Sequence, residues 1–293
     1  MIEIMTHIHD QDQILALKSS GCHRLTVTTP FLSSGIEHTF DLDNISMLFD
    51  IAENIDLKLG IMINRLIKET EWTTLLDQLH VIGITRPSFY IVSDVGVLFY
   101  LKQQTDIPVY FHSDTTIANQ YDASLMLEHG TDIVMPAREL TLEKKLQIIK
   151  SLQANIMIPV FGYQVMSRSY RPLLNNYFSQ IEKNIPSKHN LFFFKEDQRD
   201  NIYLGYEDDH GFSMFTDEVM SLLEEKQQLE DAGLTLGWID SNFLKEEDIQ
   251  TVIEYFHDRI TLEQTISRLT NSNIKLGKGL NYQDTATIKE EVK

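Results

Sequence analysis

Eight short apolar runs punctuate this chain, and stretches with helical spacing lie between successive ones. The runs are Ile2–Met5, Arg24–Thr28, Lys58–Ile63, Phe89–Val92, Val109–Phe111, Ile133–Met135, Ile156–Phe161 and Leu234–Ile239. Helical spacing is read over Asp12–Ser19 (closed by Gly21), Leu42–Ala52, Trp72–Leu79, Val95–Gln103 and Glu247–His257. Such alternation predicts a parallel sheet with helical crossovers. Eight strands make a (βα) TIM-like barrel, closed or somewhat distorted, the expected α/β architecture. Sites in such barrels sit at the C-terminal ends of the strands, so the polar residues that follow each run are the candidates.

One region departs from the rhythm. Leu191–Phe194, Ile202–Tyr206 and Gly211–Phe215 read as short aromatic strands, the first two separated by KEDQRD. They predict a small antiparallel β insertion at about 190–216 within a single domain spanning 1–293. The polar tail, about 269–293, reads as a docked strand or a partly disordered segment.

Several function classes are disfavoured. No apolar run reaches membrane-spanning length, and MIEIMTHIHDQDQ lacks the pattern of a secretory signal. The expectation is a cytoplasmic protein with no membrane partner. Cys22 is the single cysteine, which precludes an internal disulfide. A net charge of −18, with acidic groups gathering late in the chain at Glu207–Asp209, Glu224–Glu225 with Glu230–Asp231, and Glu246–Asp248, opposes nucleic-acid binding by the chain alone.

The strand tips carry the chemistry-bearing residues. His112, Ser113 and Asp114 follow the fifth run, and Arg138 and Glu139 follow the sixth. Tyr163, Ser167 and Arg171 follow the seventh, while Asp94 follows the fourth. His112 has the intrinsic pKa of a general acid or base, and Glu139 is a candidate base or a brace for Arg138. Arg138 and Arg171 present planar donor forks that match carboxylates bidentately. Asn119, Tyr163, Ser167 and Asp94 are candidate polar contacts for the same ligand. The bland reading is that these arginines form rim salt bridges and that His112 is a hydrogen-bonded structural residue. His7-x-His9 with His112 and Asp240 resembles a metal-dependent amidohydrolase pattern. Arg138 stands where that pattern wants another histidine, so no metal is expected.

FHSDTTIAN, MPARELTLE and VFGYQVMSRSYRPLLNNYF resemble successive signature segments of the collagenase-like peptidase family U32. RLTVTTPFLSS, GIMINRLI, IVSDVGV and GKGLNYQDTATIKEEVK extend the likeness over most of the chain, the last resembling a short-form C-terminus. The resemblance implies a role in bacterial tRNA wobble-uridine hydroxylation, with a prephenate-like dicarboxylate held by Arg138 and Arg171. Many relatives carry a His and two Cys that help hold an iron–sulfur cluster. Here those positions are Phe161, Val165 and Pro172, so no iron–sulfur cluster is expected in this chain. Given the negative charge, tRNA is expected to bind only with a longer family member, as a heterodimer. Two other readings stay open: a hydrolase, either peptidase or amidohydrolase, and a non-catalytic metabolite-binding subunit.

Overall fold

In the computed structural model, which describes residues 1–152, 155–195, 197 and 201–283, the alternation becomes a curled sheet. Parallel strands β1 (Glu3–His7), β2 (Arg24–Val27), β3 (Lys58–Ile63), β4 (Tyr90–Val92), β5 (Val109–His112) and β6 (Ile133–Met135) lie side by side in chain order. β1 pairs on its other side with β11 (Leu236–Asp240), and β11 with β7 (Met157–Ser169), again in parallel. The ring is completed by a single described bridge, Val134 to Ile156. Eight strands thus form a distorted TIM-like barrel with one thin seam, between β6 and β7.

The alternation of side chains explains the two inner layers. Met5, Met62, Phe89, Ile91, Tyr110, Met135, Met157, Leu236 and Trp238 fill the barrel. Gly60 leaves room for the Phe89 ring: a Cβ there would lie 2.3 Å from it. Residues of opposite parity, such as Ile4, Leu25, Ile61 and Val92, pack outward against the helices. These include α1 (Gln13–Ser20), α2 (Leu42–Asn54), α3 (Trp72–Ile82), α4 (Val95–Gln104), α5 (Gln120–Glu128), α6 (Leu142–Leu152) and α9 (Glu246–Phe256). Gly21 ends α1 at φ 114°, a left-handed cap that Cβ-bearing residues resist.

β7 does not stop at Phe161, where the sequence pattern ends. It is thirteen residues long in all, reaching Ser169, and leaves the barrel at its C-terminal end. There it pairs antiparallel with β10 (Gly211–Ser221), followed by β9 (Ile202–Asp208) and β8 (Leu191–Lys195). These antiparallel strands lie where the small β insertion is expected; they are continuous with the barrel sheet through β7, and β10 extends to Ser221. α7 (Leu173–Gln180) covers one face; Phe178 meets Phe192 at 5.6 Å, and the buried Glu207 carboxylate accepts from the Leu174 and Asn175 N–H groups. The other face carries Val165, Leu204, Tyr206 and Phe215, packed against Phe243. Two short helices, α8 (Lys226–Asp231) and α10 (Leu262–Asn271), flank the end of the chain. The tail contributes β12 (Leu276–Gly277), which docks in parallel on β10. Residues 284–293 of the tail and most of KEDQRD lie outside the described residues. No described helix is long and apolar enough to cross a membrane.

Candidate functional site

A narrow cavity of about 50 Å³ opens at the C-terminal end of the barrel. β5 supplies His112, and the loop after it supplies Asp114. The loop after β6 supplies Arg138, β11 supplies Trp238 and Asp240, and β3 leads to Asn64. β7, because it continues upward, supplies Tyr163, Gln164 and Arg168 along its length. Gly162 makes the close passage of β7 over β11 feasible: at φ 128°, a Cβ there would lie 2.3 Å from the Asp240 carbonyl oxygen.

Asp114 is the hub of the charges. Its Oδ1 lies 3.3 Å from Arg138 Nη1, and its Oδ2 lies 3.6 Å from Arg168 Nε. Burial works against the carboxylate, but Arg168, His112 and Arg138 outweigh it and hold its pKa below the usual range. Arg168 Nη1 also donates to the Asn64 carbonyl at 3.1 Å. Arg138 is less settled. Its Nη1 is fully buried and within ion-pair range of Asp114, yet not aligned for a hydrogen bond, which leaves a buried donor unsatisfied. Buried unsatisfied donors are rare, and one at a cavity wall is suited to an incoming acceptor.

Two further groups titrate unusually. Burial lowers the His112 pKa, Asp114 opposes this, and Arg168 and Arg138 add to the lowering, so the imidazole is neutral at pH 7. Asp240 goes the other way: burial pushes it up to about 7, against the Asn242 N–H and Arg168. The mouth thus holds two guanidiniums, one carboxylate, one neutral imidazole and one carboxyl poised near neutrality. Together they favour an anionic ligand and allow proton exchange with it.

The structure brings His112, Arg138 and Tyr163 together from the expected set. It places the others elsewhere. Asp94 caps α4, its Oδ1 accepting from Val97 N–H and its Oδ2 from Ile67 N–H. Asn119 caps α5, accepting from Tyr121 and Asp122. Glu139 is exposed on the outer side of Arg138, and Ser167 and Arg171 are exposed and outside the cavity lining. Arg168, Gln164, Asn64 and Trp238 were not among the expected residues. No alternation in QVMSRS marks Arg168; it lines the mouth only because β7 continues along β10.

His7 and His9 have rings 5.6 Å apart, and His9 Nε2 donates to the Ser241 carbonyl at 3.0 Å. No three metal-ligating side chains gather among the described residues. Cys22 is buried beneath the sheet, its thiol pushed up to about 12 by burial, the reverse of an activated nucleophile.

The profile of peptidase family U32 matches residues 34–283. The chain belongs to this family. A relative from Bacillus subtilis (strain 168), tRNA hydroxylation protein P2, is 23% identical over 256 residues, covering 85% of this chain and 82% of the relative. The solved structure of the U32 peptidase Mk0906 is similar in fold. It has a TM-score of 0.52 at 11% identity, over 84% of this chain and 95% of that one.

Proposed function

We propose that this U32 member acts in tRNA wobble-uridine hydroxylation and binds a small dicarboxylate, such as prephenate, at the barrel mouth. The name of the Bacillus relative supports the pathway. The carrying observation for the ligand is the unsatisfied, buried Nη1 of Arg138 beside a second guanidinium, Arg168. Arg168 takes the partnering role that the sequence assigned to Arg171. One ligand carboxylate would sit beside Asp114 and accept from donors of the two guanidiniums that Asp114 leaves free, in charge-assisted hydrogen bonds. His112, neutral at pH 7, and Asp240, which titrates at about 7, then supply proton-exchanging groups at the cavity wall. With a net charge of −18, the chain meets tRNA as one subunit of a heterodimer whose longer partner supplies basic surface.

Isothermal titration of prephenate tests the ligand. Arg138→Ala should weaken binding at least about 30-fold, the loss of roughly 2 kcal/mol for a buried charged donor; equal heats from both proteins would remove the site. Mass spectrometry of tRNA nucleosides from a deletion strain tests the pathway. Loss of 5-hydroxyuridine-derived nucleosides, restored by the wild-type gene but not by Arg138→Ala, is the expected result. Peptide hydrolysis, which the family name invokes, gains nothing from Cys22, whose thiol is buried and protonated.

A further inference from the structure

Behind Arg138 lies a buried cation that the ligand reading leaves unused. Lys145, on the first turns of α6, is 1 % exposed, yet forms no ion pair among the described residues. Burial alone draws its pKa down to about 8. A hydrophobic residue would fill the same space without desolvating a charge, so the ammonium must be used for what it donates. Its Nζ donates to Asn281 Oδ1 at 2.7 Å and to the Arg138 main-chain carbonyl at 3.3 Å.

Asn281 is itself 2 % exposed and fully engaged. Its carbonyl accepts from Leu142 N–H at 2.8 Å, and its Nδ2 donates to the Lys278 carbonyl at 2.9 Å. On either side of it the segment is tied down again: Lys278 Nζ reaches Glu224 and Glu225, and Tyr282 Oη donates to Glu225 at 2.7 Å. Between these ties Gly279 (φ 54°) passes so close to Gln164 that a Cβ there would lie 2.4 Å from its Oε1. Gln164 and Arg138 line both the mouth cavity and the outer cleft walled by this segment. Residues 278–283 therefore form a strap laid against two side chains of the mouth.

We propose that Lys145 is a positioning residue: by holding the Arg138 carbonyl and the Asn281 amide at once, it makes the C-terminal strap part of the dicarboxylate site. The positional role rests on the dicarboxylate reading of the mouth; the latch itself does not. Three donors on one compact ammonium bridge two acceptors from segments far apart in sequence, and freeing either acceptor loosens the loop that aims the Arg138 guanidinium.

The test uses the full chain with Lys145→Met, which keeps the packing and removes the donors. Asn281→Leu and the double variant accompany it. Hydrogen exchange without ligand should rise at least tenfold in residues 136–140 and 278–283 of Lys145→Met, with the barrel strands unchanged. Asn281→Leu should reproduce that pattern, and the double variant should add nothing to it. Prephenate affinity should fall about tenfold in each. Wild-type exchange in both segments of folded Lys145→Met would overturn the latch. Raised exchange with unaltered affinity would overturn the positional role. Raised exchange in the variants, with no prephenate binding by the wild type, would sustain the latch and sink the dicarboxylate reading instead.

Discussion

The mouth is governed at the residue scale by which groups are kept charged. Asp114 is held ionised by two arginines, while His7 and His112 are held neutral by burial. His7 has neither ring nitrogen hydrogen-bonded and is stacked on Trp238 at 6.0 Å. Their pKa values lie below 6.5 in the fold, so acidification protonates the unfolded chain first. The stability these histidines contribute should be present above pH 6.5 and be lost as pH drops below it, while Asp240, raised to about 7, works the other way between 7 and its unfolded 3.8 and offsets part of that loss. The Asp114 contribution follows at lower pH: it is present above the unfolded value of 3.8 and lost as pH falls through the depressed folded value. Urea denaturation at pH 7.5, 6.0 and 5.0 checks this. A His7→Asn variant should flatten the upper part of the decline, and an unflattened profile would clear His7 of the effect.

At the scale of elements, β7 decides the architecture of the site. It is a barrel strand for its first half and a wall of the mouth for its second, with Gly162 at the crossing. Gly162→Ala should cost about 2–4 kcal/mol, because its φ of 128° and the Asp240 backbone both exclude a Cβ. Chemical denaturation measures the loss, and a cost under about 1 kcal/mol would mean that β7 and β11 can part there without harm. The barrel strands were legible in the sequence because each depends on local alternation. The length of β7 was not: beyond Phe161 it continues only because β10, some fifty residues later, supplies hydrogen bonds. That same blindness exchanged Arg168 for Arg171. Asp94 and Asn119 sit outside the cavity lining for a different reason, since an N-cap and a strand-tip ligand look alike in sequence: a short polar residue just before a helix. The placement of His112 and Arg138 at the cavity was legible because their strands end where the apolar runs end.

For the whole molecule, charge and closure matter most. At −18, the isolated chain should bind tRNA no more tightly than about 10⁻⁵ M at physiological salt, the weak end of non-specific association. Filter binding across a salt series measures this. Tight binding with a steep salt slope by this chain alone would remove the need for a basic partner subunit. The closure of the ring has a consequence for how the protein comes into being. β1 finds β2 early in synthesis, but its other neighbour, β11, is separated from it by most of the chain, the sheet extension included. At about 5–20 residues per second, the nascent β1 edge stands exposed on the ribosome for roughly twelve to forty-seven seconds before its partner emerges. An open strand edge templates pairing with neighbouring chains, so fast, crowded production should drive this protein toward inclusion bodies, and slow translation or a chaperone over the N-terminal strands should rescue it.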